Sequence, residues 1–420
     1  MLKTVPLLPG VTLRCFTDNR FRQGCLSVQF LRPMCREEAA LNALLPAVLL
    51  RGTEKAPDLR DITLRLDELY GASVGSLVRR VGDCQTTGLH CSFIDDRFAF
   101  AGDRVLEPMI GFLRELLYAP LLEEGAFCRE YVEGEKVNLI AAIESQLNNK
   151  QAYANGLMLK AMCREDSFGV PRLGEPEQVE AITPQTLYAH YRQVLGESPV
   201  ELFYVGAADA EQVAALLKPM FALSGERKPR PVQLPFRDSG KSDFTRTMDV
   251  SQGKLSMGFV TPVTLRDPRF AAMQLCNTIL GSGVTSKLFM QVREKLSLCY
   301  DISSSYHGSK GILVVAAGID PENETKVREL VMEQLKACAE GSITQEELIA
   351  AKQAVLSSLR GVHDSPGAIE GYYATAALSG MGMLPGEYAA AVEAVTAEEV
   401  MEAAATVALH TVCFLKGVQM

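Results

Sequence analysis

The chain has 420 residues, 47% hydrophobic and 22% charged, with a formal net charge of −9. That length exceeds one ordinary domain of ~150 residues, and the apolar content is enough for two or three cores. Net acidity and the lack of any long Lys/Arg run argue against a nucleic-acid or anionic-membrane partner.

No window approaches 18 uninterrupted apolar residues, so no membrane span is expected. The opening residues, with Pro6 and Pro9, are too short and too broken for a signal-peptide core. Eleven cysteines, an odd number scattered from Cys15 to Cys413 without a C-x-x-C pair, read as buried free thiols in a reducing cytosol. The expected location is therefore cytoplasmic.

Along the chain, a strand ending at Pro33 leads into a helix of apolar 3–4 spacing that stops at Gly52. Leu64, Leu66 and Leu69 then mark a helix feeding a strand at 70–74. A further strand is expected at 97–102 and an amphipathic helix at 106–117. The segment 224–241, rich in Pro, Gly and charge, reads as a linker.

The order then repeats. A strand ending at Pro262 leads into a helix stopped by Gly281, and the spacing from Pro to Gly is 19 positions in both cases. Leu288, Phe289 and Val292 lead to a strand at 299–303, followed by a strand at 311–318 and a helix at 324–339. The chain is expected to be a tandem duplication, 1–223 and 242–420. Each half is an α+β domain, an antiparallel sheet with a helix pair on one face.

The second half resembles the insulinase/pitrilysin family of zinc peptidases. Gly281-Ser282-Gly283-Val284-Thr285-Ser286-Lys287-Leu288-Phe289 is similar to its Gly-rich turn and helix start. Val292-Arg293-Glu294-Lys295-Leu296-Ser297-Leu298-Cys299-Tyr300 is similar to its Arg-Glu-Lys…Tyr signature. Ala317-Gly318-Ile319-Asp320-Pro321-Glu322 and the stretch from Ile343 to Lys352 follow in order. In the first half Arg51-Gly52-Thr53-Glu54-Lys55, Leu173-Gly174 and Ile182-Thr183-Pro184 are collinear with the family.

Active members carry His-x-x-Glu-His on the helix before the Gly-Thr turn. Two His at i and i+4 share one helix face and can hold zinc, while the Glu takes a proton from the metal-bound water. A distal Glu completes the ligands. Counted back from Gly52-Thr53, the His positions fall on Ala43 and Ala47 and the Glu position on Pro46; the distal Glu falls near Ala142. None can bind zinc, and Pro46 should kink or restart its helix. No metal, no other cofactor and no catalytic residue of this chain's own are expected. Glu135, at an accessory acidic position of the family, reads as a solvated charge. The five histidines, His90, His190, His307, His363 and His410, offer no i,i+4 pair. A nucleophilic Cys91, Cys128 or Cys163 with a distant His remains a separate reading.

What the resemblance leaves is Arg293 and Tyr300, which in the family contact the substrate peptide from the second domain. An Arg fork suits peptide carbonyls or a carboxylate, and a phenol suits a developing oxyanion. Taken alone, Arg293 would read as a helix-end ion pair and Tyr300 as a half-buried strand residue.

Bacterial two-chain members divide the zinc and the Arg/Tyr pair between sister chains. The resemblance thus implies a non-catalytic, substrate-contacting subunit of a bacterial heterodimeric peptidase, whose partners are a zinc-bearing sister and a peptide or small-protein substrate. A second copy of the chain is the alternative partner, and an inactive scaffold or peptide-binding protein of the same fold is the alternative function.

Overall fold

The structure, a computed structural model, describes residues 2–222 and 226–417. The first half opens with a hairpin, β1 (Leu2–Leu8) and β2 (Val11–Thr17), turned at Gly10 with φ +75°, which favours glycine. Next come β3 (Gln23–Pro33), α1 (Arg36–Leu49), α2 (Leu59–Glu68), β4 (Ser73–Val81) and β5 (Cys84–Ile94). They are followed by α3 (Leu106–Tyr118), a short hairpin of β6 (Leu122–Glu123) and β7 (Ala126–Phe127), and α4 (Arg129–Ser145). Then come α5 (Lys150–Met162), α6 (Pro176–Glu180), α7 (Pro184–Glu197), β8 (Val200–Gly206) and α8 (Ala210–Leu217).

Residues 226–241 have no helix or strand. The second half contains β9 (Ser242–Met248), β10 (Gly253–Val260), α9 (Phe270–Leu280), β11 (Cys299–His307), β12 (Ile312–Ile319) and α10 (Glu324–Ala339). It ends with α11 (Gln345–Gly361), α12 (Pro366–Ser379), α13 (Pro385–Ala394), α14 (Ala397–Ala405) and β13 (Ala408–Gly417).

The two sheets run in the orders β1-β2-β8-β3-β5-β4 and β11-β12-β10-β13-β9. Neighbours are antiparallel except for one parallel pair in each, β2 with β8 and β9 with β13. The correspondence β2/β9, β3/β10, β4/β11, β5/β12 and β8/β13 matches sheet position as well as chain order, as a tandem α+β duplication requires. Among the described residues strand β1 has no counterpart in the second sheet.

Packing does not follow chain halves throughout. One compact unit gathers Met1–Glu144, Val170–Val232 and His363–Thr375, and the other gathers Ser145–Gly169, Gln233–Val362 and Ala376–Met420. The contiguous spans 1–223 and 242–420 therefore differ from the packed units by two exchanged segments. The first exchange has a polar cause. On β3, alternate residues Ser27 and Gln29 are fully buried on the face opposite the core residues Leu26 and Val28. They donate to Glu370 Oε1 at 2.6 and 3.0 Å, and Arg79 donates to both Glu370 oxygens at 2.9 and 2.7 Å. A buried carboxylate needs such partners. In the other unit α5 lies on β10 and β13, with Met158 and Met162 against the surface that Gly258 leaves open.

Two expectations need correction. Residues 97–102 form two single turns, Asp96–Phe98 and Phe100–Gly102, and not a strand. Asp95 accepts from the Arg97 amide at 3.0 Å, and Asp96 accepts from the Val105 and Leu106 amides at 2.9 and 3.0 Å. Such local Asp bonds compete with a sheet ladder. The second correction is α1, which does not restart at Pro46 but is one helix from Arg36 to Leu49.

Candidate functional site

Helix α1 starts two residues beyond β3, with Glu37 and Glu38 in its first turn, where acidic groups complement the helix dipole. Its buried residues include Ala43, Leu44, Leu45, Pro46 and Val48. Pro46 has no N–H, so the Asn42 carbonyl loses its helical donor. The Thr87 hydroxyl on β5 supplies a replacement, donating to that carbonyl at 2.8 Å.

The Asn42 side chain is also fully held. Its Nδ2 donates to Gln85 Oε1 at 2.8 Å, and its Oδ1 lies 2.8 Å from His190 Nε2. Gln85 in turn donates to the Ala39 and Arg172 carbonyls. Burial lowers the His190 pKa to about 4, so the imidazole is neutral and donates to Asn42. This polar network sits one residue from Ala43 on the helix that would carry a zinc motif.

The residues present do not fit zinc. Ala43, Pro46, Ala47 and Ala142 offer no side-chain donor, and His190 is engaged with Asn42. Among the described residues no group of three or more His, Cys, Asp or Glu could hold a metal ion.

Glu135 on α4 is not the solvated charge expected. Its carboxylate is only 15% exposed and accepts from Arg51 Nε at 2.5 Å. Arg51 lies in the turn after α1, so the pair ties α4 to that turn. All eleven cysteines are free and ten are buried. Burial raises the Cys91 and Cys128 thiols, the direction opposite to activation.

Arg293 and Tyr300 meet at one pocket. Each stands on a local irregularity of the backbone. The segment Phe289–Lys295 is π-helical, a geometry that appears mostly as single turns and often at functional sites. It closes through Ser297, whose φ of +53° is unusual for a residue with a side chain; the Ser297 amide bonds the Arg293 carbonyl and the Leu298 amide bonds the Val292 carbonyl. Tyr300 falls at a β-bulge, where the register of β11 against β12 slips between Cys299 and Asp301. A bulge re-aims the extra residue's side chain.

Both line a pocket of about 400 Å³ together with Glu294, Ser297 and Asp320. Arg293 is 41% exposed, with its guanidinium carbon 4.7 Å from the Phe289 ring centroid and a nitrogen 3.6 Å from Glu294. Tyr300 is 52% exposed and donates its hydroxyl to Asp320 Oδ1 at 3.1 Å. That hydrogen bond, with the carboxylate's charge, raises the phenol pKa. Asp320 went unrecognised in the sequence as a partner of Tyr300. Nothing in the sequence signals that contact, which depends on the pairing of β12 with β11, Ile319 opposite Cys299.

The arrangement presents a guanidinium fork, a phenol and a carboxylate to solvent. It can bind peptide carbonyls and orient a polar group, while its two carboxylates, Asp320 and Glu294, face Tyr300 and Arg293.

Comparison with known proteins gives consistent matches. The family described as Peptidase M16 inactive domain matches residues 181–355. The chain is 29% identical over 412 residues to the "Probable inactive metalloprotease YmfF" of Bacillus subtilis, covering 98% of this chain and 96% of that one. Among solved structures, a conserved protein from Enterococcus faecalis aligns with TM-score 0.93 and 27% identity, over 100% of this chain and 99% of that one. A Pseudomonas fluorescens structure titled as a peptidase M16 inactive domain aligns with TM-score 0.82 and 19% identity, over 100% and 98%. With duplicated α+β halves, a collinear signature and Ala and Pro at the metal positions, the chain is an insulinase/pitrilysin-like (M16-like) homologue without the zinc motif, similar over its whole length to proteins described as inactive M16 peptidases.

Proposed function

We propose that this chain is the non-catalytic, substrate-contacting subunit of a heterodimeric M16 zinc peptidase acting on peptides or small proteins. One observation carries the reading: the zinc positions hold Ala43, Pro46, Ala47 and Ala142, while Arg293 and Tyr300 line one open pocket. The loss is confined to one half-site. A sister chain with an intact His-x-x-Glu-His would supply zinc and its activated water.

In that assembly Arg293 holds a peptide carbonyl or carboxylate with its fork of donors. Tyr300 gives its hydroxyl to the oxygen that gains charge as the peptide bond is attacked. Asp320 holds the Tyr300 phenol until substrate takes over the hydrogen bond. The reading includes a bacterial cytoplasmic setting, supported by eleven free cysteines. No helix among the described residues is long and apolar enough to cross a membrane.

The test is reconstitution. The purified chain alone should bind no stoichiometric zinc and hydrolyse no peptide, and activity should appear on mixing with the zinc-motif sister. Hydrolysis by the chain alone, or no gain on mixing, would refute the proposal.

A second reading is an inactive scaffold or peptide-binding protein of the same fold, with a second copy of the chain as its partner. It draws support from the local engagement of Tyr300 with Asp320 and of Arg293 with Phe289, neither of which needs a substrate. It predicts hydrolytic assays indifferent to both residues.

A further inference from the structure

The two sheets differ at one edge. In the first, β1 flanks β2; in the second, β9 stands at the corresponding place with no strand beyond it among the described residues. Among the described residues no strand pairs with the outer edge of β9, and four of its seven residues are exposed. Such an edge leaves alternate N–H and C=O groups open to a further strand.

A second, independent feature lies beside that edge. Arg164, Lys241 and Arg246 line a pocket of about 240 Å³ with Ser239, Ser242 and Phe244, and no carboxylate lines it. Ser242, Phe244 and Arg246 alternate along β9 and so share one face. Arg164 lies 3.6 Å from the exposed Glu165; among the described residues Lys241 and Arg246 form no ion pair within 4 Å, although the charge of Lys241 is felt by the Asp238 carboxylate. Three cations without a lining carboxylate are notable in a chain of net charge −9.

The loop leading to β9 is held in place. Asp238 accepts from the Gly240 amide at 2.7 Å and lies 2.9 Å from His410 Nε2, whose ring is buried. The Arg237 amide donates to Asp166 at 3.0 Å. Ser239 Oγ accepts from the Glu165 amide at 3.0 Å, and its carbonyl accepts from Arg164 at 3.2 Å. Lys241 therefore leaves a fixed loop.

We infer that the outer edge of β9 takes an extended acidic segment of a partner protein as an added strand. Main-chain bonds form along β9, and carboxylates at alternate positions face Arg246 and the Arg164/Lys241 pocket. The internal duplication supplies the vacant strand position and the cations set the chemistry of its occupant. The inference does not depend on the peptidase reading.

The test uses the full-length chain and a fluorescein-labelled octapeptide of alternating Val and Glu, followed by anisotropy. Binding should weaken with salt. Arg246→Glu and Lys241→Glu should each weaken it at least tenfold, with unchanged melting temperature because both side chains are exposed. The same peptide with N-methylated backbone, equal in charge, should also bind at least tenfold more weakly. Equal binding of the N-methylated peptide, or full displacement by millimolar inorganic phosphate, would reduce the edge to a simple anion pocket and overturn the inference. So would no binding at all, or self-association of the chain that Arg246→Glu disperses.

Discussion

Thr87 Oγ1 donates to the Asn42 carbonyl at 2.8 Å, the acceptor that Pro46 leaves without a helical partner. A cross-element hydroxyl thereby replaces the missing i→i−4 bond and lets α1 run on. Thr87→Val should cost about 1–3 kcal/mol, the penalty of an unsatisfied buried carbonyl. In a Pro46→Ala background, which restores the N–H, the same change should cost at least ~0.5 kcal/mol less. Denaturant unfolding of the four-variant cycle measures the coupling, and additive costs would show that the two groups do not substitute for one another.

The buried His190 makes stability depend on acid. Its folded pKa, lowered by burial to about 4, lies below the unfolded value, so folding favours the neutral ring. Glu38, which raises it, and Arg32, which lowers it, are secondary influences. The contribution is fully present above about pH 6.5 and is lost as pH falls towards 4, on the order of 3 kcal/mol in all. His190→Gln should flatten that part of the stability–pH curve. An unchanged slope would mean that other groups govern acid unfolding.

The Arg51–Glu135 pair joins α4 to the turn after α1, with side chains 25% and 15% exposed. Glu135→Ala should destabilise by about 1–2 kcal/mol, more than a surface ion pair, because Arg51 is left half-buried without its partner. Replacing both residues by Met should cost less than the single change. Thermal melts of the three variants decide the order.

Asp320 raises the Tyr300 phenol through its hydrogen bond and its charge. Asp320→Asn should move the Tyr300 titration back towards the ordinary phenol value, as followed by NMR of ring-labelled tyrosine. A titration that does not move would separate the two side chains in solution.

Much of this fold is legible in the sequence, because its signals are local. The helix expected at 324–339 is α10 at the same bounds, and the paired Pro-to-Gly spacings mark β3–α1 and β10–α9. The failures involve partners remote in sequence. Glu135 reads as solvated until Arg51, 84 residues away, comes beside it. A restart of helix α1 at Pro46 is the expectation until Thr87 is seen to face Asn42. Residues 97–102 alternate like a strand, yet Asp95 and Asp96 cap them into turns. Of the candidate site, the chain signature supplied Arg293 and Tyr300. The π-helical turn, the bulge and Asp320 emerged only from the backbone.

The central claim is that Arg293 and Tyr300 serve a reaction whose metal resides in another chain. The most direct measurement is kcat/KM of the reconstituted heterodimer with Arg293→Ala and with Tyr300→Phe in this chain, alongside its assembly by sedimentation. The account predicts unchanged assembly and at least a tenfold loss for each variant, about 1.4 kcal/mol of barrier. Wild-type activity in the double variant would contradict it.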